Sequence, residues 1–326
     1  MHKKSIYLLG CCFILLLAAC QASDNSNVNT NKMDEETSDN TDTYPLTLSI
    51  DEKEVTITDK PEKMIPLSLE VAEIILDLVD AENVVAATRG LDDPLLSSKS
   101  DIASSIDGRI QAASNIEAEE IIAYDTDLLV MTKMYGQEED AEKTLGKLDI
   151  PILSFEPFVT WDDFIQAYTI IGEAIDEKEQ AEENIEQMDE EIANIQKKID
   201  DTAEPTVLVL SEVGGDIGPL MMGPSNISYD LIQLAGGKPA VDDIGLTRST
   251  PASMEQIMKM NPDYILFADF FGKGEEGFSD LLADKGWQTL DAVQNEQTMI
   301  LDAKYVINPN PDLIDGLEQI VNWLYE

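Results

Sequence analysis

The stretch DEKEQAEENIEQMDEEIANIQKKIDD runs from Asp176 to Asp201 and decides the fold of this chain. Its apolar residues recur at steps of three and four, so a helix would carry one apolar stripe opposite a face of carboxylates and lysines. Asp176 is predicted to cap the first turn together with Glu179, and Pro205 requires the helix to have ended. At ~1.5 Å per residue the helix would be on the order of 37 Å long, enough to lie across two lobes. The stripe consists of Ala181, Ile185, Met188, Ile192, Ile195 and Ile199.

A second pattern occurs once on each side of this helix. Residues 119–130 and 255–266 begin with Glu119 and Glu255, and each stretch has an Asp eight residues after its Glu, followed by an apolar run. The pattern predicts a short helix, a turn and a buried strand, which is one step of a parallel α/β sheet. The sequence therefore predicts two Rossmann-like α/β lobes with central parallel sheets, joined by one long rigid helix.

The N-terminus has the pattern of a bacterial lipoprotein signal. Lys3 and Lys4 precede an apolar run over residues 6–19, which is too short to span a bilayer and ends in Leu-Ala-Ala directly before Cys20. We expect residues 1–19 to be removed as a signal peptide, leaving a lipidated Cys20 at the outer face of the cell membrane. The alternative is an uncleaved anchor helix. Residues 20–43 are polar, and they are predicted to form a disordered acidic tether.

Composition excludes several classes of function. The chain has one His and three Cys, and the predicted cleavage would remove all of them except Cys20. Disulfides, nucleophilic catalysis by Cys or His, and metal held by His are therefore excluded for the mature chain. With 65 acidic residues against 21 Lys and Arg, the formal net charge of −44 excludes nucleic acid as a partner and suits a soluble extracytoplasmic protein.

Most candidate ligand-binding residues follow the predicted strands, because ligands of open parallel sheets bind beyond the carboxyl ends of the strands. Met222 instead precedes a predicted helix, and Arg248 lies in the loop before the second Glu-to-Asp stretch. The alternatives are that the cations among them pair with surface acids, and that the Met and Phe side chains belong to the core. The candidates are Arg89, Lys133, Met134 and Tyr135 in the first lobe, and Met222, Arg248, Phe270, Lys273, Lys304 and Tyr305 in the second.

Taken together, these features resemble a known family. The lipobox, the segment Lys60-Pro61-Glu62-Lys63-Met64-Ile65, the paired Glu-to-Asp stretches, Ala235-Gly236-Gly237 and the single long helix look like those of the Fe/B12 periplasmic-binding family. Its members are the substrate-binding lipoproteins of iron-chelate and vitamin B12 importers. The resemblance covers roughly residues 45–326 and implies a class III substrate-binding fold. We expect an N-terminal lobe over residues 44–160, linking helices over 161–203 and a C-terminal lobe over 204–326.

The resemblance also implies a function, which is transport and not catalysis. The chain would capture a ferric siderophore in the cleft between its lobes and deliver it, as a monomer, to a permease driven by an ATPase. No cofactor is expected, and metal would enter only within the chelate. In the family a Glu at the tip of each lobe pairs with arginines of the permease, and the motif match assigns this role to Glu119 and Glu255. The alternative for both is a Glu that only complements a helix dipole.

Other functions stay open at this point. A corrinoid would need apolar walls and few charges, and haem would depend on Tyr or Met because the predicted mature chain has no His. A carboxylate-dependent glycosidase would need two acids in an environment that raises one pKa, and no such pair is visible in the sequence. An adhesin would need an exposed apolar patch.

Overall fold

The computed structural model describes residues 43–50, 53–110, 118–133, 143–199 and 203–326. Residues 42–326 form one compact unit. The predicted signal peptide, Cys20 and nearly all of the tether fall outside the described residues. Within the described ranges, none of the helices is both long enough and apolar enough to cross a membrane.

The N-terminal lobe is built on short strands, which in its described part are β1 (Leu46–Ile50), β2 (Lys53–Ile57), β3 (Met64–Pro66), β4 (Ala86–Thr88), β5 (Gly108–Ile110), β6 (Leu128–Thr132) and β7 (Ile152–Phe155). β1 and β2 form the antiparallel hairpin that the alternating sequence predicts. The other strands pair in parallel in the orders β3-β6-β7 and β4-β5, and a parallel bridge between Met64 and Val84 connects the two groups. Their carboxyl ends therefore lie along one edge. The accompanying helices are α1 (Leu69–Leu78), α2 (Ser100–Ala103) and α3 (Ala118–Ala123).

The C-terminal lobe has its own sheet, with the strands β8 (Thr206–Ser211), β9 (Leu220–Met221), β10 (Lys238–Pro239), β11 (Thr250–Pro251), β12 (Tyr264–Asp269) and β13 (Thr298–Asp302). The order is β11-β9-β8-β12-β13, and β10 pairs with the start of β8. β8, β12 and β13 are parallel, so their carboxyl ends meet at one edge, whereas β9 runs antiparallel to β8. α4 (Trp161–Ala174) and α5 (Lys178–Gln196) precede this lobe, and its helices are α6 (Ile227–Leu234), α7 (Met254–Met260), α8 (Ser279–Leu282), α9 (Asp291–Gln294) and α10 (Leu313–Tyr325).

The helix α5 joins the lobes as the sequence predicts. It packs against α4 on one side and against α10 of the C-terminal lobe on the other. Ala181, Met188, Ile192 and Ile195 of the predicted stripe are buried in this contact. Ile185 and Ile199 are partly buried and pack on the same core, so the apolar stripe is confirmed.

The predicted start and length of this helix were wrong. α5 has 19 residues, which corresponds to about 28 Å. Asp176 has a left-handed φ of 60° and lies in the break after α4, where the amide of Glu177 donates to the carbonyl of Gly172 at 2.8 Å. A residue that ends one helix in this conformation cannot adopt the extended conformation of an N-cap for the next. The capping box lies instead at the start of α4, between Thr160 and Asp163.

The two Glu-to-Asp stretches have the same local structure. Each short helix, α3 or α7, ends in a left-handed residue, Asp125 with φ 53° and Asn261 with φ 42°. Two residues later, the Asp127 carboxylate accepts the amides of Glu62 and Lys63, just before β3. The equivalent carboxylate of Asp263 accepts the amide and the hydroxyl of Thr206 at the start of β8, at 2.9 and 2.7 Å. In both lobes this Asp fixes the register between its own strand and the preceding neighbour.

We expect Asp127→Ala and Asp263→Ala each to lower the free energy of unfolding by about 1–2 kcal/mol, because each removes a charged acceptor from the amides that begin a strand. Urea denaturation monitored by circular dichroism measures the change. The matched control is Asp125→Asn, which tolerates the left-handed backbone of this position, removes only the exposed pair with Lys63 and should change stability little. Equal effects of all three substitutions would refute a role of the two aspartates in strand register.

Candidate ligand cleft and docking surface

The carboxyl edge of the N-terminal sheet presents two of the predicted cations. Arg89 follows β4 and is exposed, and no ion pair is found for it among the described residues. Lys133 follows β6 and pairs with Glu156 at 2.9 Å. Arg109, by contrast, is held by the fold, since it donates to the Asp92 carboxylate and to three main-chain carbonyls. Arg89 is therefore the arginine that this edge can offer to a ligand.

The loop after β12 presents aromatic and cationic groups at the edge of the C-terminal sheet. Phe270 is partly buried and contacts the exposed Phe271 edge to face, with ring centroids 5.1 Å apart. The ammonium of Lys273 lies 5.3 Å from the centroid of the Phe271 ring, within the range of a cation–π contact. Lys273 is exposed, so this loop combines an accessible positive charge with an accessible aromatic surface.

The turn after β13 contains the other predicted cation of this edge, Lys304. Its Nζ lies 4.9 Å from the centroid of the Tyr305 ring and 3.1 Å from the Asp312 carboxylate. Burial alone would lower the pKa of Lys304, but the hydrogen bond and the negative charge of Asp312 outweigh burial and raise it. Lys304 is therefore charged, but its charge is already balanced within the lobe.

Residues 93–98, which we call the bridging segment, reach from the N-terminal lobe to the C-terminal lobe. The carbonyl of Leu95 accepts the amide of Lys304 at 2.9 Å, and the carbonyl of Leu96 accepts the side-chain amide of Asn308 at 3.0 Å. Gly272 has φ +68°, and a Cβ there would lie 2.9 Å from Leu95 Cδ1. Since Arg89 opens the turn that leads into this segment, the segment connects the two candidate edges.

A buried carboxyl group anchors the bridging segment to its own lobe. Glu73 on α1 is 0% exposed, and it accepts the hydroxyl of Ser97 at 2.5 Å and the amide of Ser98 at 3.0 Å. Burial raises the pKa of Glu73, against the opposing effect of these hydrogen bonds and of Lys99. The segment is thus fixed at both ends and is part of the folded body.

Three acids lie side by side at the carboxyl ends of β8, β12 and β13. Glu212 and Asp269 are 5% and 7% exposed, and Asp269 pairs in register with Asp302. Burial, followed by the interaction with Asp269, raises the pKa of Glu212. Burial would also raise the pKa of Asp269, but the amides of Gly274 and Lys273 and the contact with Glu212 lower it. The two buried carboxyl groups therefore have pKa values that are shifted in opposite directions.

The third acid faces the other lobe. Burial, together with the charges of Asp269 and of Asp93 on the bridging segment, raises the pKa of Asp302 against the opposing effect of Lys304. Within the described residues, no group of three or more His, Cys, Asp or Glu side chains is arranged to hold a metal ion.

The candidate docking glutamates, Glu119 and Glu255, do not belong to the segments that form these edges, and both are exposed. Glu119 is in the first turn of α3 and Glu255 in the first turn of α7. Neither carboxylate has an ion-pair or hydrogen-bond partner in the described part of the chain. Both acids are therefore available to an external partner.

Two open depressions lie elsewhere on the surface. One, of about 670 Å³, lies at the amino ends of β8, β12 and β13 and includes Pro205, Asp263 and Gln297. The other, of about 490 Å³, lies along α5 around Ile185. Parallel sheets bind ligands at the opposite, carboxyl ends of their strands, so the candidate site remains the facing edges.

Comparison with known proteins decides the family. The family model described as periplasmic binding protein matches residues 65–305, most of the chain. The chain belongs to this family. A curated relative, the uncharacterized ABC transporter substrate-binding lipoprotein YvrC of Bacillus subtilis, is 24% identical over 318 residues, which cover 95% of each chain.

Solved structures of periplasmic binding proteins have the same fold. A possible iron-binding protein of Staphylococcus epidermidis has a TM-score of 0.67 at 22% identity, covering 82% of this chain and 100% of that one. The haem-binding protein RhuT of Roseiflexus gives 0.67 at 22% identity, covering 81% and 98%. An Fe3+-hydroxamate transport protein of Saccharomonospora viridis gives 0.67 at 19%, covering 87% and 100%. The predicted family and the two-lobed class III fold are confirmed, and the chain is a substrate-binding protein of an ABC importer, not an enzyme.

The structure distributes the predicted ligand-binding residues of this periplasmic binding protein unevenly. Met222 is 5% exposed and packs in the core, which is the alternative left open for such residues. Arg248 is exposed, but it precedes β11, and its carbonyl lies against Gly223 and not at the end of a parallel strand. Met134 and Tyr135 lie outside the described residues. The residues found at the carboxyl edges are Arg89, Lys133, Phe270, Lys273, Lys304 and Tyr305.

Sequence reasoning missed the acids of the C-terminal edge and the bridging segment. Glu212, Asp269 and Asp302 each follow an apolar strand directly, which is the signal that could have identified them. That signal is weak here because acids are abundant throughout the chain. The contacts of Leu95 with the second lobe join positions about two hundred residues apart, and no local pattern reports them.

We expect Glu212→Gln to change how stability depends on pH. In the folded protein the pKa of Glu212 is raised above its ordinary 4.5. Glu212 therefore contributes stability to the wild type below pH 4.5, and this contribution is lost as the pH rises through the raised pKa. Glutamine keeps the neutral shape and does not titrate, so the variant should gain free energy of unfolding relative to wild type across this window. Urea midpoints over a pH series measure the difference. The control is the exposed Glu276→Gln, and a Glu212→Gln curve parallel to the wild-type curve would contradict the raised pKa of Glu212.

Proposed function

We propose that this protein captures an anionic ferric chelate of the siderophore class between its lobes and hands it to the importer permease. The observation that carries the proposal is Arg89, an exposed arginine at the carboxyl edge with no ion pair among the described residues. The chain has 65 acids and only three arginines, and Arg89, although its charge acts on Asp92, leaves an exposed guanidinium to which another anion can bind. Siderophore carboxylates and catecholates are suitable partners, because guanidinium binds such groups in bidentate geometry.

Lys273 and the aromatic loop support the same class of ligand. Lys133 and Lys304 are balanced by Glu156 and Asp312, whereas no ion pair is found for Lys273 in the described ranges, where it lies over the Phe271 ring. A chelate with aromatic catecholates would contact both the charge and the ring. The relatives described as iron-binding and as an Fe3+-hydroxamate transport protein agree with this class.

A corrinoid is the second candidate, and a specific observation favours it. Ile217 and Phe271, which follow β8 and β12, are 64% and 46% exposed, and they provide an apolar wall at the C-terminal edge. A neutral corrinoid would use this wall and would not need Arg89 or Arg248. Haem ranks third: a relative is described as haem-binding, but the one His of this chain, His2, lies in the predicted signal.

We expect Arg89→Ala to weaken binding of a ferric siderophore by about tenfold or more, since a charge-assisted hydrogen bond contributes at least that factor. Arg248→Ala, which lies outside the carboxyl edges, should change this affinity less. Quenching of tryptophan fluorescence in titrations with ferric siderophores, cobalamin and haem measures the affinities. The control is Lys147→Ala, an exposed cation before β7. If both Arg variants bind every ferric chelate as tightly as the wild type, the ligand is neutral and the siderophore proposal fails.

The proposal also assigns the route of delivery. Lipid on Cys20 would hold the protein at the membrane, and Glu119 and Glu255 would pair with basic residues of the permease. The support for docking is that two exposed, unpaired acids occupy equivalent positions in two structurally equivalent helix–turn–strand units.

Glu119→Ala combined with Glu255→Ala should therefore abolish uptake of labelled iron chelate in cells while the purified protein binds the ligand with wild-type affinity. The docking charges lie outside the ligand edges, so the two measurements separate. Glu183→Ala on α5, also an exposed acid with no ion pair in the described ranges, is the control and should transport normally. Normal uptake by the double variant would rule out the docking role.

A further inference from the structure

Each candidate docking helix also exposes one large apolar side chain. Ile122 on α3 is 57% exposed and Met258 on α7 is 47% exposed. Each lies three residues after the docking glutamate of its own helix, and residues at this spacing share a helix face. Exposed large hydrophobic residues are few in the described part of the chain: the others are Ile102, Ile217 and Phe271.

The match between the two helices extends to their buried sides. The residue before each exposed one, Ile121 or Ile257, is 0% exposed and anchors its helix to the core. Both helices thus have the same order, an exposed acid, a buried Ile and then an exposed aliphatic or thioether side chain. The exposed apolar residue is not needed to hold the helix, because the buried Ile already does so.

On each helix the exposed glutamate and the exposed apolar side chain form a small patch, and its charge distinguishes between the surfaces that could bind it. An apolar side chain beside a carboxylate is a poor membrane anchor, because the anionic surface of a membrane repels the acid, and the whole chain carries a formal net charge of −44. The complementary surface is an apolar recess beside a basic residue. Since the patch occurs twice on structurally equivalent units, its partner must offer such a recess twice.

We propose that Ile122 and Met258 are docking residues, each inserting into an apolar recess of the importer permease beside the basic residue that binds Glu119 or Glu255. This inference rests on the docking role proposed above and adds the apolar contact to it. Charge pairs mainly steer association and set its rate, whereas buried apolar anchors at the centre of an interface slow dissociation. The two kinds of residue would therefore have separable effects on transport.

The test uses the full-length, lipidated protein in cells that lack the chromosomal copy. A photo-crosslinking amino acid at position 122 or 258 should form an adduct with a multi-spanning membrane protein that copurifies with an ATPase. The same amino acid at position 102, an exposed isoleucine on α2, should form none. Adducts with lipid or with a soluble protein at positions 122 and 258, or no adduct, would overturn the proposal.

Uptake of labelled chelate gives the second readout. Ile122→Ser combined with Met258→Ser should lower uptake at limiting expression by about tenfold or more, since burying one aliphatic side chain contributes roughly that factor. Ile122→Leu and Met258→Leu should transport normally, as should Ile102→Ser. Ligand affinity of each purified variant should equal that of the wild type, because both positions lie outside the candidate cleft. The thermal midpoint should fall only slightly, since Ile122 and Met258 are 57% and 47% exposed and the main loss is the contact of the Met258 sulfur with Gly286.

The outcomes distinguish this inference from the docking proposal on which it rests. If the glutamate variants lose uptake while the Ser variants keep it, the glutamates dock and the apolar contact is refuted. If the glutamate variants also keep uptake, the docking role itself fails. Loss of uptake in both sets, with permease adducts at positions 122 and 258, supports the inference.

Discussion

Burial of the apolar stripe of α5 is the constraint on which the rest of the structure depends. Ala181, Met188, Ile192 and Ile195 belong to one continuous hydrophobic cluster that also contains Val130 of the first sheet and Val209 of the second. Because this core is shared, a change in the angle between the lobes would expose apolar surface to water. Such exposure costs ~25 cal/mol of free energy per Å². The bridging segment adds main-chain hydrogen bonds between the lobes. The two lobes therefore share one core and direct main-chain contacts, which restrict movement of one lobe against the other.

The scarcity of positive charge makes the remaining cations informative. Several lysines are bound in ion pairs that join elements of the fold, and Arg109 serves Asp92 and main-chain carbonyls. Arg89 and Lys273 are exposed at the carboxyl edges and form no ion pair with the described residues, so their charges are less engaged by the fold than those of Lys133 and Lys304.

Much of the fold was predictable from the sequence, and less of the site was. The stripe of α5, the hairpin and the repeated Glu-to-Asp stretches are periodic or local patterns, and their physical causes act over a few residues. The left-handed stop at Gly236, with φ 73°, was predictable for the same reason. The break at Asp176 was missed because Asp favours both N-caps and left-handed turns, and only packing of α4 on α5 decides between them. The positions of Arg248 and Met222 were not predictable, because they depend on β9 and β11, each of which is two residues long and leaves no pattern in the sequence.

The three acids of the C-terminal edge, Glu212, Asp269 and Asp302, differ in their electrostatic surroundings. Three carboxylates at the ends of adjacent strands would repel an anionic chelate if all were ionised. Burial raises the pKa of Glu212, while the Asp269 carboxylate accepts the amides of Lys273 and Gly274. Those amides hold the loop that presents Phe271 and the Lys273 ammonium. The fold therefore uses the carboxylate of Asp269 to position the loop that carries the Phe271 ring and the Lys273 ammonium.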